Sequence, residues 1–158
     1  MVSAPLSSID RDAATKDRLR LWIGMLRAMR LIEGDLREKL KTQFNTTLPR
    51  FDVMAALYRQ PEGMLMSDLS RFLLVSNGNV TVIVDRLVSD GLVARALRKG
   101  DRRTSIVSLT SKGMAVFREM ANAHEEWINT LLGGIGVGEA RRLAAMFRTF
   151  ERNWEHEA

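Results

Sequence analysis

Apolar residues between positions 77 and 90 recur at the spacing of one buried helix face. They stand at steps of three and four residues: Val80, Ile83, Val84, Leu87 and Val88. That spacing predicts an amphipathic helix whose apolar stripe faces a core. Gly91 follows directly, and glycine is favoured just past a helix end. The pattern therefore predicts a helix that stops before Gly91.

The opposite face of this predicted helix is polar. Its amide, hydroxyl and guanidinium groups can hydrogen-bond to base edges and phosphates, and its valine can touch a thymine methyl. These candidate contacts are Asn77, Asn79, Thr81, Val82 and Arg86. Ser76 or Asn77 is expected to cap the helix, and the free N–H groups of such an end suit a phosphate. Ser76 therefore joins the candidate set.

A shorter helix is predicted before this one, and strands are predicted around the pair. Ser67 is the expected cap of the shorter helix. The expected core face of that helix is Leu69, Phe72 and Leu73. Segments 92–97 and 104–109 are typical of strands, and segment 64–66 is typical of a minimal third strand. This order predicts a helix-turn-helix followed by a β-hairpin, the winged form of the motif.

The residues between the two longer strands, 98–103, are too polar to be core and are predicted to form the wing loop. Its cations are Lys99, Arg102 and Arg103. Arginine suits the narrow, electronegative minor groove, which a wing beside a recognition helix can reach. Asp101, or Asp85 in the preceding helix, is expected to orient an arginine through a charge-assisted hydrogen bond. The alternative is a solvated basic turn.

Long helical patterns flank the winged segment. Between about positions 13 and 44 one stripe is apolar: Trp22, Met25, Leu26, Met29, Ile32, Leu36 and Leu40. A helix of roughly 30 residues is about 45 Å long, which exceeds what a small winged domain can cover. A second copy of the chain is therefore expected to cover part of the stripe. Packing on helices of the same chain is the alternative.

Three further helices are predicted. Thr47 caps one that ends before Pro61, and Thr110 caps another. Along the second, apolar positions alternate in steps of three and four: Met114, Phe117, Ala121, His124, Ile128 and Leu131. The glycine-rich segment 133–138 interrupts this helix. The last helix, at about 139–155, has the apolar face Leu143, Met146, Phe147, Phe150 and Trp154.

The predicted fold class is mainly α with a small β-hairpin wing: a winged helix-turn-helix flanked by N- and C-terminal dimerisation helices. Four segments follow from the patterns. Residues 1–10 are expected to be a flexible tail and 11–46 the N-terminal dimerisation helix. Residues 47–112 are the expected winged DNA-binding domain, and 113–158 the C-terminal dimerisation helices.

Charge and composition favour an anionic partner. The formal net charge is +5 and the sequence pI is about 10.2, a balance common among proteins that bind nucleic acid. There is no cysteine, which excludes disulfides and thiolate metal sites. The N-terminal residues lack the apolar run of a signal peptide, and no apolar run reaches the length of a membrane span. The prediction is a soluble cytoplasmic protein without membrane partners.

The residues give little support to catalysis or to a cofactor. The histidines are His124, on an apolar seam, and His156, near the C-terminus. Neither has a metal-ligand partner at helical spacing. The glycines of segment 133–138 do not follow a predicted strand and lack a P-loop lysine. No enzyme activity, metal or cofactor is expected.

Methionine and aromatic side chains are candidates for an adaptable ligand cavity. They fall on helices that are expected to meet where the dimerisation and DNA-binding segments join. The candidates are Trp22, Met25, Met29, Phe51, Met54, Tyr58 and Phe117. The alternative is that each is simply part of the core.

Several motifs in this order resemble the multiple-antibiotic-resistance-regulator (MarR) family of bacterial transcription factors. They are LPRFDVMAAL, MSDLSRFLLVSNGNVTVIVDRLVSDGLV, the wing GDRR and SLTSKG. The resemblance extends from about Arg18 to Trp154. The glycine-rich connector before the last helix departs from the common pattern.

The resemblance implies a triangular homodimer that places two winged helices on an imperfect palindrome of double-stranded DNA. It implies that Arg103, in the motif Asp101-x-Arg103, enters the minor groove and that Asp85 helps to fix the wing arginine. It also implies repression that a small, often aromatic, anionic ligand relieves. The SNGNVT segment is similar to regulators of aromatic-acid breakdown, including some that respond to acyl-CoA thioesters.

The function that these inferences favour is a homodimeric, sequence-specific transcriptional regulator, a repressor released by a small aromatic ligand. The alternative is a winged-helix protein-interaction module with only non-specific affinity for DNA. That alternative predicts weak binding that falls steeply with salt and ignores sequence.

Overall fold

A computed structural model describes the backbone of residues 8–157 and the side chains of residues 13–97, 99–100 and 104–154. Within these residues the elements are α1 (Ser8–Phe44), α2 (Leu48–Tyr58), β1 (Met64–Leu65), α3 (Met66–Leu73), α4 (Asn77–Ser89), β2 (Val93–Arg98), β3 (Asp101–Leu109), α5 (Ser111–Leu131) and α6 (Val137–Glu157). The predicted fold class, mainly α with a small antiparallel sheet, is confirmed.

The winged core is built on one face of α4. Val80, Val84 and Leu87 are fully buried, as their spacing predicts. Other fully buried side chains come from α2, α3 and β3: Met54, Leu57, Leu69 and Val107. Ile83 is half-buried and Val88 is exposed, so the buried stripe is narrower than predicted. The other side of α4 is thereby turned away from the core.

Three of the predicted helix caps are confirmed, and one is wrong. The side chains of Thr47, Ser76 and Thr110 each accept a backbone N–H at the start of α2, α4 and α5. The shorter helix, α3, begins at Met66, so Ser67 lies inside it and does not cap it. The cap position is Leu65, because this residue is still paired with β3 when the helix begins.

The core face of α3 also differs from the prediction at Phe72, which is exposed. The buried arc of this helix runs through Leu69 and Ser70. The Ser70 hydroxyl donates a hydrogen bond of 2.7 Å to the Val75 carbonyl oxygen, which satisfies it beneath the turn. At about 100° per residue, Phe72 falls outside that arc.

The three strands form one antiparallel sheet in the order β1-β3-β2. Met64 is paired with Val107, which confirms the minimal third strand beside the wing. The predicted six-residue wing loop is wrong in extent, because Arg98 already pairs with Asp101 across a turn at Lys99 and Gly100. Gly100 has a φ of +87°, a conformation that allows such a short turn.

The chain divides into two compact units, one ending at Ala121 and one beginning at Asn122. The first unit contains the start of α5 as well as the winged core, and the predicted division into functional segments remains a prediction. The Phe117 ring centroid lies 5.4 Å from that of Phe51 and 4.9 Å from that of Tyr58. Met120 is also buried, although the predicted seam did not contain it.

The first helix starts earlier than predicted. α1 begins at Ser8, so positions 8–10 of the expected tail are helical, while residues 1–7 lie outside the described part of the chain. No glycine or proline occurs between Pro5 and Gly24 to interrupt a helix. Toward its other end α1 packs into the core through Leu36 and Leu40.

Candidate nucleic-acid interface

The polar face of α4 is open to solvent. Asn77, Asn79, Val82 and Arg86 are exposed, and Thr81 is partly exposed. Val82 is 56% exposed, whereas Val80, Val84 and Leu87 of the same helix are fully buried. An exposed apolar methyl group among amides and a guanidinium is a suitable surface for the edge of a major groove. The structure therefore leaves these residues outside the core but on two sides of α4, because Asn79 and Val82 face α2 and α3 whereas Asn77 and Thr81 face β3.

The N-terminal turn of α4 is fixed by its own side chains. The Ser76 hydroxyl oxygen accepts a hydrogen bond of 3.4 Å from the Asn79 N–H. The Thr81 hydroxyl donates one of 2.8 Å to the Asn77 carbonyl oxygen. A serine hydroxyl that accepts still has a proton to donate, so Ser76 can cap the helix and contact a phosphate at the same time.

The wing lies beside this helix. A cleft of about 270 Å³ separates α4 from β3 and is lined by Met66, Ser67, Asn77, Thr81, Thr104 and Ser105. Lys99 is exposed at the hairpin turn. The backbone of Asp101, Arg102 and Arg103 forms the start of β3, but their side chains lie outside the described part of the chain. The predicted contacts of those three side chains remain predictions.

Asp85 holds a wing arginine, but it is one that the sequence did not indicate. An Arg95 guanidinium nitrogen, Nη2, lies 2.9 Å from Asp85 Oδ1. Arg95 stands on β2, so the ion pair joins the recognition helix to the wing. Side chains alternate between the two faces of a strand, but this alternation does not show which arginine faces α4. The way the hairpin packs on the helix decides that Arg95 pairs with Asp85.

The C-terminal end of α4 is anchored by charges that sequence reasoning also missed. Arg50 of α2 forms a hydrogen-bonded ion pair with Asp90, and this hydrogen bond holds the pKa of Asp90 below its ordinary value. The Lys112 ammonium donates to the Asp90 carbonyl oxygen at 3.1 Å. Two cations at the end of α4 oppose the partial negative charge of a helix C-terminus. They fix the recognition helix to α2 and to the start of α5.

The residues predicted to line a ligand cavity are divided between core and surface. Phe51, Met54 and Phe117 are buried, and Tyr58 packs on Phe117. Trp22 and Met29 are exposed on α1, and Met25 is half-buried there. None of these seven side chains lines any of the cavities described in this chain. A ligand site formed by them remains a prediction.

The described residues offer few features typical of a catalytic histidine, a metal site or a membrane span. His124 is partly buried, which lowers its pKa and keeps the imidazole neutral near pH 7. In the part of the chain whose side chains are described, no three histidine or acidic residues are grouped as metal ligands would be. No single described helix is long and apolar enough to cross a membrane, and only the bent pair α3 and α4 meets that test by length and composition.

Comparison with known proteins identifies the fold family. The MarR family profile matches residues 44–104, the segment that contains α2 to the start of β3. A MarR family transcriptional regulator from Silicibacter pomeroyi is 31% identical, covers 89% of this chain and 97% of its own, and superposes with a TM-score of 0.73. The chain belongs to the MarR family. It is a transcriptional regulator with a winged helix-turn-helix for binding DNA.

Two solved structures with lower identity share the fold. A mutant of MarR from E. coli in complex with operator DNA is 22% identical, with a TM-score of 0.74 over 85% of this chain and 95% of its own. BpsR from Bordetella bronchiseptica is also 22% identical, with a TM-score of 0.74 over 84% of this chain and 98% of its own. The BpsR structure is described as explaining how 6-hydroxynicotinic acid regulates its DNA binding.

Proposed function

We propose that this MarR-family protein is a homodimeric repressor that recognises a pseudo-palindromic operator. The observation that carries the proposal is the surface on which the exposed face of α4 and the wing stand side by side, joined by Asp85 and Arg95. The E. coli relative with the same fold is bound to operator DNA. The assignment is a binding function in the cytoplasm, without catalysis or a cofactor.

Recognition divides between two kinds of contact. Cationic side chains and the N-terminus of α4 bind phosphates, which supplies most of the affinity and makes it depend on salt. Asn77, Asn79, Val82 and Arg86 read base edges in the major groove. The wing, with Lys99, Arg102 and Arg103, binds in the adjacent minor groove. Asp85 contributes by holding the wing through Arg95.

Dimerisation is supported by large apolar side chains exposed on each of two long helices. On α1 they are Leu19, Leu21, Trp22, Ile23, Met29 and Leu31. On α6 they are Leu143, Met146, Phe147, Phe150 and Trp154. The α6 side chains fall on one helix face, and an exposed apolar face of this kind marks an interaction site. A second copy of the chain covers it and places two α4 helices about 34 Å apart, one turn of DNA.

Release of the operator by a small aromatic acid, or by its CoA thioester, completes the proposal. The resemblance of the SNGNVT segment to regulators of aromatic-acid breakdown supports this ligand class. The regulation of BpsR by 6-hydroxynicotinic acid is a second support. The predicted contacts are Trp22, Met25, Met29, Phe51, Met54, Tyr58 and Phe117.

Selection from a pool of random DNA duplexes tests the proposed DNA recognition. The full chain is expected to enrich an inverted repeat, and Asn79→Ala is expected to relax base preference at one position in each half-site. Asn129→Ala, which removes an exposed asparagine of α5, is the matched control and should enrich the same sequence. A pool without sequence enrichment would contradict the proposal and favour a winged protein-interaction module.

A further inference from the structure

A furrow crosses the winged unit from β3 to the turn between α3 and α4. Two clefts form it, one of about 270 Å³ between α4 and β3 and one of about 480 Å³ beside the turn. Ser67 and Asn77 line both clefts, so the two adjoin at these residues. Ser105 lies on the wall of the first cleft and Ser76 on that of the second. The furrow therefore passes from the wing, across the start of α3, to the cap of α4.

The hydroxyl groups along the furrow differ in whether their protons are already in use. Those of Thr81 and Ser70 donate to backbone carbonyl oxygens at 2.8 and 2.7 Å. The Ser76 hydroxyl accepts a hydrogen bond and keeps its proton. The hydroxyls of Ser67 and Ser105 have no hydrogen-bond partner among the described residues. Three serine protons, one each from α3, the cap of α4 and β3, are therefore available to a ligand.

The furrow is rich in hydrogen-bond donors but carries little charge. Among the described residues that line it there is no acidic side chain, and the one cation is Arg71, at the end beside the turn. Arg71 Nη1 lies 3.4 Å from Asp68 Oδ1, outside the wall, which offsets part of its charge. An anionic chain can therefore lie in the furrow without repulsion from the described lining side chains and accept hydrogen bonds from neutral groups.

We infer that the furrow seats the DNA strand that separates the major groove from the adjacent minor groove, and that Ser67, Ser76 and Ser105 donate to its phosphates. The inference rests on the proposed function. With α4 in the major groove and the wing in the minor groove, the strand between the two grooves has to cross the space between these elements. Serine hydroxyls commonly donate to DNA phosphates. Ser67 lines both clefts and holds the central position, so its hydroxyl contacts DNA and does not cap a helix.

A neutral donor differs from a cation in its effect on salt dependence. A lysine or arginine that neutralises a phosphate releases counterions, so its removal lowers the slope of log affinity against log salt by about one. A hydroxyl carries no charge, and its removal should lower the affinity for DNA without changing that slope. Phosphates are common to every sequence, so this loss of affinity should be the same for different duplexes.

Fluorescence anisotropy of the full chain at several salt concentrations tests the furrow. The two duplexes are the most abundant one from the random-pool selection and a scrambled version of it. Ser67→Ala is expected to weaken binding to both about tenfold with an unchanged salt slope, whereas Lys99→Gln should lower the slope by about one. Ser67→Asp, which places a carboxylate beside the phosphates, should bind more weakly than Ser67→Ala. It should remain folded, because an acid in the first turn of a helix is favourable.

Ser111 provides the matched control. It is an exposed serine in the first turn of α5 and lines neither cleft. Ser111→Ala and Ser111→Asp should bind both duplexes within about twofold of the unmodified chain. Thermal unfolding of each variant shows that it is folded.

Three results would overturn the inference. They are equal losses of affinity in the Ser67 and Ser111 variants, unchanged affinity of Ser67→Asp for both duplexes, or a loss in Ser67→Ala confined to one duplex, since a phosphate contact does not depend on sequence. Equal affinity of the unmodified chain for the two duplexes would contradict the proposed operator recognition. A loss in the Ser67 variants alone would still support the furrow in that case.

Discussion

Arg95 Nη2 lies 2.9 Å from Asp85 Oδ1 and so joins β2 of the wing to the recognition helix. The side chains of Arg95 and Asp85 are 33% and 57% exposed. An ion pair as exposed as this contributes at most about 1 kcal/mol to folding. Its main effect is geometric, because it fixes the wing at one orientation relative to the helix face that reads bases.

A double-mutant cycle separates these two effects. Arg95→Gln and Asp85→Asn are each expected to lower the ratio of operator affinity to scrambled-DNA affinity, since the wing is no longer held in register with α4. Their coupling in the free energy of unfolding should stay below about 1 kcal/mol. Urea denaturation and fluorescence anisotropy measure the two quantities. A larger coupling with an unchanged affinity ratio would make the pair purely structural.

Phe150→Glu is expected to convert a dimer to a monomer. Phe150 is 64% exposed and its ring centroid lies 6.1 Å from that of Trp154, in the middle of the apolar face of α6. A charge buried there without a partner opposes association. Analytical ultracentrifugation measures the change. Thr149→Glu places the same charge one position earlier on the exposed surface of α6 and is the control. Equal dimerisation of Phe150→Glu and the wild type would contradict the assignment of this face.

Leu74→Asn is expected to stabilise the protein by about 0.5–1 kcal/mol. Leu74 is 92% exposed, and its φ of +54° is a left-handed conformation that leucine adopts at a cost. Asparagine tolerates this conformation better. Asn45 has a similar φ of +49°, so Asn45→Leu is the matched reverse change and should destabilise. Denaturant unfolding checks both. Loss of stability in Leu74→Asn would indicate a contact that the exposed leucine makes.

Gly113→Ala is expected to destabilise the winged unit by about 1–3 kcal/mol. A Cβ at this position would stand 2.0 Å from the Leu92 carbonyl oxygen, a backbone atom that cannot move aside cheaply. Gly78→Ala is the control, because a Cβ there meets nothing within 4 Å and alanine favours a helix. Chemical denaturation should show opposite signs for the two variants. Similar stabilities would contradict the close approach of α5 to the backbone of Leu92.

The raised pKa of Asp52 makes one contribution to the change of stability with pH, opposite in sign to that of Asp90, whose pKa is lowered. The pKa of this carboxyl is about 3.8 in the unfolded chain and higher in the folded chain. The folded protein therefore loses stability as the pH rises from about 3.8 through the folded pKa. Asp52→Asn has no carboxyl to ionise at this position, so its free energy of unfolding should exceed that of the wild type at pH 7. This difference in the free energy of unfolding should become smaller in acid. A less stable Asn variant at pH 7 would contradict the balance of charges around Asp52.

The sequence predicted those features that arise from local rules. Thr47, Ser76 and Thr110 cap helices because a hydroxyl satisfies the first free N–H groups wherever a helix follows. The fully buried Val80, Val84 and Leu87 follow from helical periodicity alone. The order of elements around them was sufficient to predict the winged fold.

The features that the sequence did not predict depend on tertiary packing. The partner of Asp85 is set by the orientation of the hairpin, and nothing in the spacing distinguishes Arg95 from the other arginines of the wing. The pair of Arg50 and Asp90 joins positions 40 residues apart. Ser67 was wrong as a cap because the pairing of Leu65 with β3 fixes where α3 begins. A groove lined by Asp52, Val75 and Ile83 exists only because α2, α3 and α4 meet there.

The most direct test of the central claim is fluorescence anisotropy of the full chain on the intergenic DNA beside its own gene. Scrambled DNA of the same length and composition is the comparison, and each is measured at a low and a near-physiological salt concentration. We expect tight binding that keeps its preference for the native fragment at the higher salt. Equal binding to both fragments, lost as the salt rises, would contradict a sequence-specific regulator of its own promoter region.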